Sequence, residues 1–569
     1  MQRVWHDSYP LEVPREIDIT EHSSLNDLFA VAVSKYRKNI AFANLGSAIT
    51  YSQLDRLSRD FASWLQNVAN LGRGSRVALM MPNLMQYPVA LFGVLRAGMV
   101  AVNVNPLYTD RELAHQLADS GAEAIVIVEN FAHVLQKALP KTAVKYVITT
   151  QVGDMLPIHR RIGINFAVKR LKKMVPEWRI SDTVGFLTAL RLGRSTEWRE
   201  PALGHQDVAF LQYTGGTTGL SKGAVLTHGN MLANVLQCHA WSRPVFREGE
   251  EVVITPLPLY HIFSLTVNCL MMLKWGGLNV LITNPRDMPA FVSELKKWPF
   301  TVMTGVNTMF NALMNTPGFD QIDFGKLKFV VGGGAAVHHS VAKLWEAKTG
   351  RPLTEGYGLT EASPLVTCNP IMTAHSGAIG VPVPSTEVSI RDEEGVELPF
   401  DAQGEIWVRG PQVTRGYWNR PEETRATITE DGWLRTGDIG LMDAQGVLRI
   451  TDRKKDMILV SGFNVYPNEV EEVIAAMPGV LECAVVGIPD DITGEVVKAF
   501  VVRKDPDLTP EAVIAYSRER LTRYKVPKLV EFRNELPKNP IGKVLRRELR
   551  TAPASATAAA VVASQSGGV

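Results

Sequence analysis

Cysteine is scarce and dispersed. The chain holds 4 among 569 residues, Cys238, Cys269, Cys368 and Cys483. With no C-x-x-C pair, neither a zinc site nor a disulfide framework is indicated. That usage suits a reducing cytoplasm. An excess of one charge is missing too: 60 Lys and Arg face 58 Asp and Glu, a net +2, which gives nucleic acid no electrostatic reason to bind. Membrane-length apolar runs are also lacking. One long uncharged stretch, 257–273, includes Pro258, His261 and Asn268. It falls short of the ~20 apolar residues a span needs and reads as buried structure. Residues 1–7 lack the apolar centre of a secretion signal. What remains is ordinary globular material, 46% hydrophobic and 21% charged. It is too long for one core and suggests about two to four domains.

Against that background one stretch stands out: Tyr213-Thr214-Gly215-Gly216-Thr217-Thr218-Gly219-Leu220-Ser221-Lys222-Gly223. A strand-like Val208-Ala209-Phe210-Leu211 precedes it. A second strand, Ala224-Val225-Leu226, and a helix cap, Thr227-His228-Gly229-Asn230, follow. The glycines let successive N–H groups converge, and the threonine hydroxyls and Lys222 add donors and positive charge. Such a loop suits a polyphosphate better than a bare surface turn. It lacks the Walker A spacing.

Around this loop the pattern alternates. Strand-like Val77–Met81, Val100–Val104 and Ala124–Val128 are separated by helical periods. The rhythm returns over 250–335, with strands near Val252–Thr255, Val280–Ile282, Val302–Gly305 and Phe329–Val330. This predicts two α/β blocks built on parallel sheets. Thr50-Tyr51-Ser52-Gln53 predicts a capping box for a helix with Leu54, Leu57, Phe61 and Leu65 on its inner face. From 376 the texture becomes short strands punctuated by Gly and Pro, a small antiparallel barrel or sheet. The charged run 452–456 marks a hinge, and a compact α+β unit ends near 550. The expected organisation is a large N-terminal domain over 1–451, a small mobile C-terminal domain over 452–550, and a disordered Ala-rich tail over 551–569.

Residues 151–200 break the rhythm. Arg160, Arg161, Lys169, Arg170, Lys172, Lys173 and Arg179 surround Ile162, Phe166, Val168, Leu171, Met174 and Trp178. Such a segment can lie on an anionic membrane. The commoner arrangement, a solvated helix packing its apolar side on its own domain, is the expected one.

Four further stretches carry chemistry. Gly332-Gly333-Gly334-Ala335 ends a strand where backbone can approach a flat purine, or simply makes a tight turn. Tyr357-Gly358-Leu359-Thr360-Glu361 offers a carboxylate that is ordinarily a surface charge, but beside a phosphate loop is a candidate Mg²⁺ ligand. Thr436-Gly437-Asp438 offers a carboxylate for ribose hydroxyls, with Arg453 nearby in sequence. Pro537-Lys538-Asn539-Pro540-Ile541-Gly542-Lys543 presents a lysine on a shaped loop.

In order and content these motifs resemble the adenylate-forming superfamily. Ala78-Leu79-Met80-Met81-Pro82-Asn83, Val102-Asn103-Val104-Asn105-Pro106-Leu107-Tyr108, Pro256-Leu257-Pro258-Leu259-Tyr260-His261-Ile262-Phe263 and Ser461-Gly462-Phe463-Asn464-Val465-Tyr466-Pro467 bring the resemblance closer, to its bacterial long-chain fatty acyl-CoA synthetases of β-oxidation. It covers essentially 1–550. The resemblance implies a two-step ligase using ATP, a long-chain fatty acid and coenzyme A through an acyl-adenylate, with Mg²⁺ accompanying ATP and no tightly bound organic cofactor. It implies Lys543, Thr360 and Glu361 in catalysis. Tyr213, Thr214, Gly215, Gly216, Thr217, Thr218, Gly219, Lys222, Gly333, Gly334, Ala335, Glu355, Gly356, Tyr357, Gly358, Asp438, Ile450 and Arg453 would hold ATP, with Thr217 and Glu361 at the metal. His261, Phe263 and Val306, with Ser461, Gly462 and Phe463, would face acyl chain or CoA, and Lys455 would be the hinge of a swinging C-terminal domain. His261 reads equally as a satisfied histidine near the site. The stretch 257–273 and residues 306–310 are candidate acyl-tunnel walls, although plain core packing is the commoner role. Cytoplasmic location with peripheral attachment to the inner membrane face is expected, and a homodimer stays open. Three other readings remain: a fatty acyl-AMP ligase loading a carrier protein, a non-catalytic lipid-binding protein at the membrane surface, and a luciferase-type oxidase.

Overall fold

The computed structural model describes residues 3–214, 221–490 and 492–551. Two large sheets, a small antiparallel sheet and a C-terminal sheet organise them. Strand order in the first is Thr183–Gly185, Tyr146–Thr150, Ala124–Val128, Arg76–Met80, Val100–Asn103, Val208–Thr214, Lys222–Thr227. All its pairs are parallel except the last, the hairpin that flanks the phosphate-loop motif. Ala124–Val128 is buried at every position, so its continuous apolar run reflects helices on both faces.

The second sheet has nine strands. Its centre runs Thr354–Gly358, Phe329–Gly332, Val302–Gly305, Val252–Thr255, Leu278–Leu281, all parallel, with antiparallel strands added at both margins. One margin recruits the early hairpin Ile40–Asn44 and Ser47–Thr50, a pairing across more than 200 residues that local pattern does not reveal. The capping box at Thr50 forms as expected, and helix Tyr51–Asn67 buries Leu54, Phe61 and Leu65. Phe61, Phe92, Phe186 and Phe210 share the core around the first sheet, while Phe310 and Trp345 anchor the second.

Of the barrel and the sheet left open for the region after 376, a sheet is found. Glu387–Arg391, Gly404–Arg409, Leu434–Met442 and Leu448–Arg453 pair antiparallel in sequence order. Beyond the turn at 454–457 a five-stranded sheet carries helices Pro467–Ala475 and Pro510–Arg518 around its own apolar core.

The uncharged stretch 257–273 is interior, as expected. It contains a π-helical segment, Ser264–Leu270, buried throughout, and all four cysteines are buried and unpaired. The basic segment departs from its expected packing. Helix Ile158–Phe166 has no buried residue, and Ile158, Ile162, Phe166, Leu171 and Met174 are each more than half exposed. The physical reason is what holds the helix down. Arg160 donates to the Gly46 carbonyl at 2.7 Å, and the Asn165 amide oxygen accepts from the Gly153 N–H at 2.7 Å. Ile164 packs on the first-sheet core. The face towards the domain is therefore polar with one isoleucine, which leaves the apolar stripe outward.

Candidate functional site

The antiparallel hairpin places Thr214 opposite Lys222 in register. Gly215, Gly216, Thr217, Thr218 and Gly219 lie outside the described residues. Both flanks of the loop are tied down. The Tyr213 hydroxyl donates to Asp119 at 2.7 Å, and Arg420 pairs with the other Asp119 oxygen at 2.8 Å. The Lys222 ammonium is ion-paired with Glu423 and sits 5.3 Å from the centre of the Tyr417 ring. Tyr417 in turn donates to Glu361 Oε1 at 2.7 Å. Burial and the neighbouring carboxylate push the Tyr417 pKa up, so it stays a donor and orients Glu361.

A second wall follows the C-terminal edge of the nine-stranded sheet, where open α/β folds bind ligands. Gly333, Gly334 and Ala335 line it directly after strand Phe329–Gly332. Gly334 has φ +75 and lies against Ile541, so a side chain there would be strained and crowded. Glu355 accepts from the Val337 N–H at 3.1 Å and pairs with His375 at 3.1 Å. Strand Thr354–Gly358 brings Tyr357 to Asp438. The Tyr357 hydroxyl donates to Asp438 Oδ2 at 2.6 Å, and Arg453 Nε pairs with Oδ1 at 2.9 Å. Asp438 is 2% exposed, and both its oxygens are partnered, as a buried carboxylate requires. Gly356, Gly358, Thr360 and Ile450 line the same wall.

The third wall comes from the C-terminal unit. Asn539 closes a short loop by accepting from the Lys543 N–H at 2.8 Å. Gly542, with φ +88, turns its carbonyl to the Thr308 hydroxyl at 3.1 Å. The loop thus docks on helix Asn307–Met314 and aims Lys543 into the cleft. Burial, then the nearby Arg453 charge, pushes the Lys543 pKa down to about 8. Burial and Lys543 hold His261 at about 4, so the imidazole is neutral. Burial and Arg453 lower Lys455 to about 8. Lys543, Lys455 and Arg453 thus stand close enough to repel one another in a buried corner of the cleft, an arrangement that a bound anion would relieve.

These walls enclose a cleft of ≈ 1870 Å³ lined by Tyr213, Thr214, Lys222, Glu361, Asp438 and Lys543. His261, Phe263 and Val306 join them, and an apolar arm reaches Cys238, Val267, Met271 and Phe329. Met309 and Phe310, considered as tunnel walls, pack into the core instead, Phe310 against Trp345 with ring centres 4.9 Å apart. Ser461 and Gly462 sit at the turn between strands Ile458–Val460 and Phe463–Val465, and Phe463 stacks on Tyr524 at 4.8 Å. The structure does not bring these three to the cleft. Asp119, Tyr417, Arg420 and Glu423 went unnoticed in the sequence, because each matters only through a partner over 50 residues away. The single local signal, Pro421 opening a helix with acids in its first turn, says cap rather than ligand.

No group of three or more metal-binding side chains occurs among the described residues. Glu361 offers hard oxygen, which fits a Mg²⁺ that arrives with a triphosphate and keeps most of its ligands from phosphate and water.

Two sheets meeting a small lysine-bearing domain over one anion-adapted cleft define a class of adenylate-forming enzymes. The chain belongs to the AMP-binding enzyme family, whose model matches residues 29–418, while that of the AMP-binding enzyme C-terminal domain matches 469–543. It is 56% identical to a long-chain-fatty-acid–CoA ligase of Yersinia pestis over 551 residues, 97% of this chain and 98% of that one. It is 50% identical to the enzyme of that name from Haemophilus influenzae, covering 97% and 98%. Among solved structures it resembles ATP-bound MatB of Rhodopseudomonas palustris, with TM-score 0.78 and 30% identity over 93% of this chain and 98% of that one.

Proposed function

We propose that this protein is a long-chain fatty acid–CoA ligase working in two half-reactions in one cleft. The observation that carries the reading is the convergence of Lys543 with Thr214, Lys222, Glu361 and Asp438 around a cleft that continues into an apolar arm. In the first half-reaction the fatty carboxylate oxygen attacks the α-phosphorus of ATP. A new O–P bond forms, the bond to the β-phosphate oxygen breaks, and pyrophosphate leaves. Lys543 balances charge gathering on the α-phosphate, while Lys222 and the loop beside it hold the outer phosphates. Glu361, oriented by Tyr417, would hold Mg²⁺, which neutralises phosphate charge when bound. In the second half-reaction the CoA sulfur attacks the acyl carbonyl. The C–S bond forms, the C–O bond to AMP breaks, and the thiol proton passes to solvent. The arm lined by Cys238, Val267, Met271 and Phe329 suits the alkyl chain, each buried CH₂ contributing ~0.8 kcal/mol.

The test is pyrophosphate release from ATP over carboxylic acids of graded length, with and without CoA. Long acids supporting release, and thioester appearing with CoA, is the expected result. Release without thioester would identify a carrier-loading acyl-AMP ligase, and no release with any acid would end the enzymatic reading.

We also infer peripheral attachment to an anionic membrane face. No helix among the described residues is long and apolar enough to cross a membrane. The outward apolar stripe of 158–174, flanked by Arg161, Arg170, Lys172 and Lys173, supports attachment without spanning. Cosedimentation with phosphatidylglycerol vesicles, lost in phosphatidylcholine vesicles, is the expected outcome.

A further inference from the structure

Helix His339–Thr349 starts without a side-chain cap of its own; His338, at the N-cap position, gives none. Its first turn is satisfied from the other domain. Glu472, on helix Pro467–Ala475, accepts from the His339 N–H at 2.9 Å through Oε1 and pairs with His338 Nδ1 at 3.0 Å through Oε2. A carboxylate here meets both an orphan N–H and the positive end of the helix dipole. The His338 side chain is only 17% exposed. Its backbone N–H donates to Asn307 Oδ1 at 3.0 Å, and the adjacent Thr308 holds the Gly542 carbonyl. One short run of contacts therefore links Glu472 to the loop that delivers Lys543. Among the described residues, the neighbouring hydrogen bonds, Asn311 to the Leu481 carbonyl and Lys504 to Asn315, involve neutral acceptors. Nearer residues 454–457, Asp452 accepts from the Asn468 N–H at 2.8 Å and pairs with Arg546 at 3.2 Å.

We propose that Glu472 is a positioning residue, a latch that holds the C-terminal domain in the orientation that delivers Lys543 and lets go for the thioester step. This rests on the two-step reading above. Lys543 occupies the space through which CoA must approach the acyl carbonyl, so the loop has to leave, and the Glu472 contacts break when it does. A latch made of one carboxylate on one imidazole and one N–H is strong enough to bias the orientation and weak enough to release.

The latch also responds to pH. Burial opposes charge on His338 and is the largest single influence, but the hydrogen bond to Glu472 and the nearby carboxylate charges together outweigh it and raise the imidazole pKa. Glu471 and Glu355 face the same ring and add to the effect. Glu471 is itself paired with Arg546 at 2.7 Å, and Glu355 Oε2 lies 3.1 Å from His375 Nε2. The His339 ring lies 5.9 Å from the His375 ring, tilted by 43°. The sign follows: the ion pair is complete below the free imidazole value and is lost as pH rises through the raised one, which frees the domain.

The test measures the half-reactions separately in Glu472→Ala and Glu472→Gln: pyrophosphate release from palmitate and ATP without CoA, and palmitoyl-CoA formation from supplied palmitoyl-adenylate. For Glu472→Ala, adenylation falls about tenfold while thioester formation is unchanged or faster, with an unaltered melting curve. Glu472→Gln keeps the geometry and loses the charge. Its adenylation falls less, and the ratio of the two rates, which in the unaltered enzyme shifts towards thioester formation with rising pH, becomes flat. Equal losses in both half-reactions, no loss in either, or an unchanged pH response in Glu472→Gln would overturn the latch. An unaltered enzyme that forms no adenylate would instead defeat the ligase reading itself.

Discussion

At the residue scale the site turns on Lys543 and the charges facing it. Removing a cation from a developing negative charge commonly costs ~10²–10³-fold in rate. Lys543→Ala is expected to lose adenylation by that factor while still making thioester from supplied acyl-adenylate, as rapid-quench assays of each half-reaction would show. The same lysine predicts a pH limb. With its pKa lowered to about 8, the ammonium is present below that value and lost above it. For adenylation, kcat/KM for ATP, which reports the free enzyme, should fall as pH rises past about 8. The kcat limb should lie higher, because bound triphosphate stabilises the cation. Coincident limbs would count against Lys543 as the titrating group. The residue types were legible in the sequence because glycine, threonine and lysine in one turn leave few other uses. The pairing of Asp438 with Arg453 was half legible, since 15 positions along two adjacent strands bring them opposite in register. Tyr417 and Glu423 were not, because a side chain that orients another carries no local mark.

At the scale of elements, periodicity predicted the helix capped at Thr50 and the buried strands near 77–81, 100–104, 124–128, 252–255 and 302–305 where they occur, since burial on one face or two writes itself into spacing. The basic segment shows where that inference stops. An amphipathic period says that two faces differ, not which one the domain covers. Here the polar face is covered, and the stripe also depends on a change of helix type. Ile158, Ile162 and Phe166 repeat at α-helical spacing, and Leu171 follows Phe166 by five. The π-helical turn Ala167–Leu171, closed by the Lys172 N–H to the Ala167 carbonyl at 2.8 Å, absorbs the extra residue and keeps Leu171 in line. Deleting Val168 would remove the extra residue and leave Leu171 in line, four positions after Phe166, whereas inserting one alanine after Val168 would rotate everything beyond it by about 100°. The insertion variant is expected to bind phosphatidylglycerol vesicles several-fold more weakly, with undiminished activation of a short, soluble acid in solution. Unchanged vesicle binding would show that the stripe is not the attachment surface.

At the scale of the whole molecule, the hinge we propose at 452–456 rests on the charged run in the sequence, which says nothing of the orientation adopted, because local patterns do not fix how two domains sit. The structure gives that stretch a definite local form. The Arg453 carbonyl accepts from the Asp456 N–H at 2.9 Å and from the Met457 N–H at 3.2 Å, so residues 454 and 455 lie inside a helical turn. Lys454 is tied back to Gly437 through its N–H at 3.0 Å. Among the described residues the Lys455 N–H has no acceptor that a proline at 455 would cost, but proline forces the residue before it out of the helical region. Lys454 would then have to leave the turn that supports the docked orientation. Lys455→Pro is therefore expected to impair adenylation more than thioester formation, an asymmetry that a merely stiffened hinge does not require. Two rates measured on one preparation decide it: adenylation reduced with thioester formation from supplied adenylate largely kept supports the turn as the docked-state support. The reverse ordering would mean that the proline favours the docked turn, and that residue 454 tolerates its extended alternative without undocking Lys543.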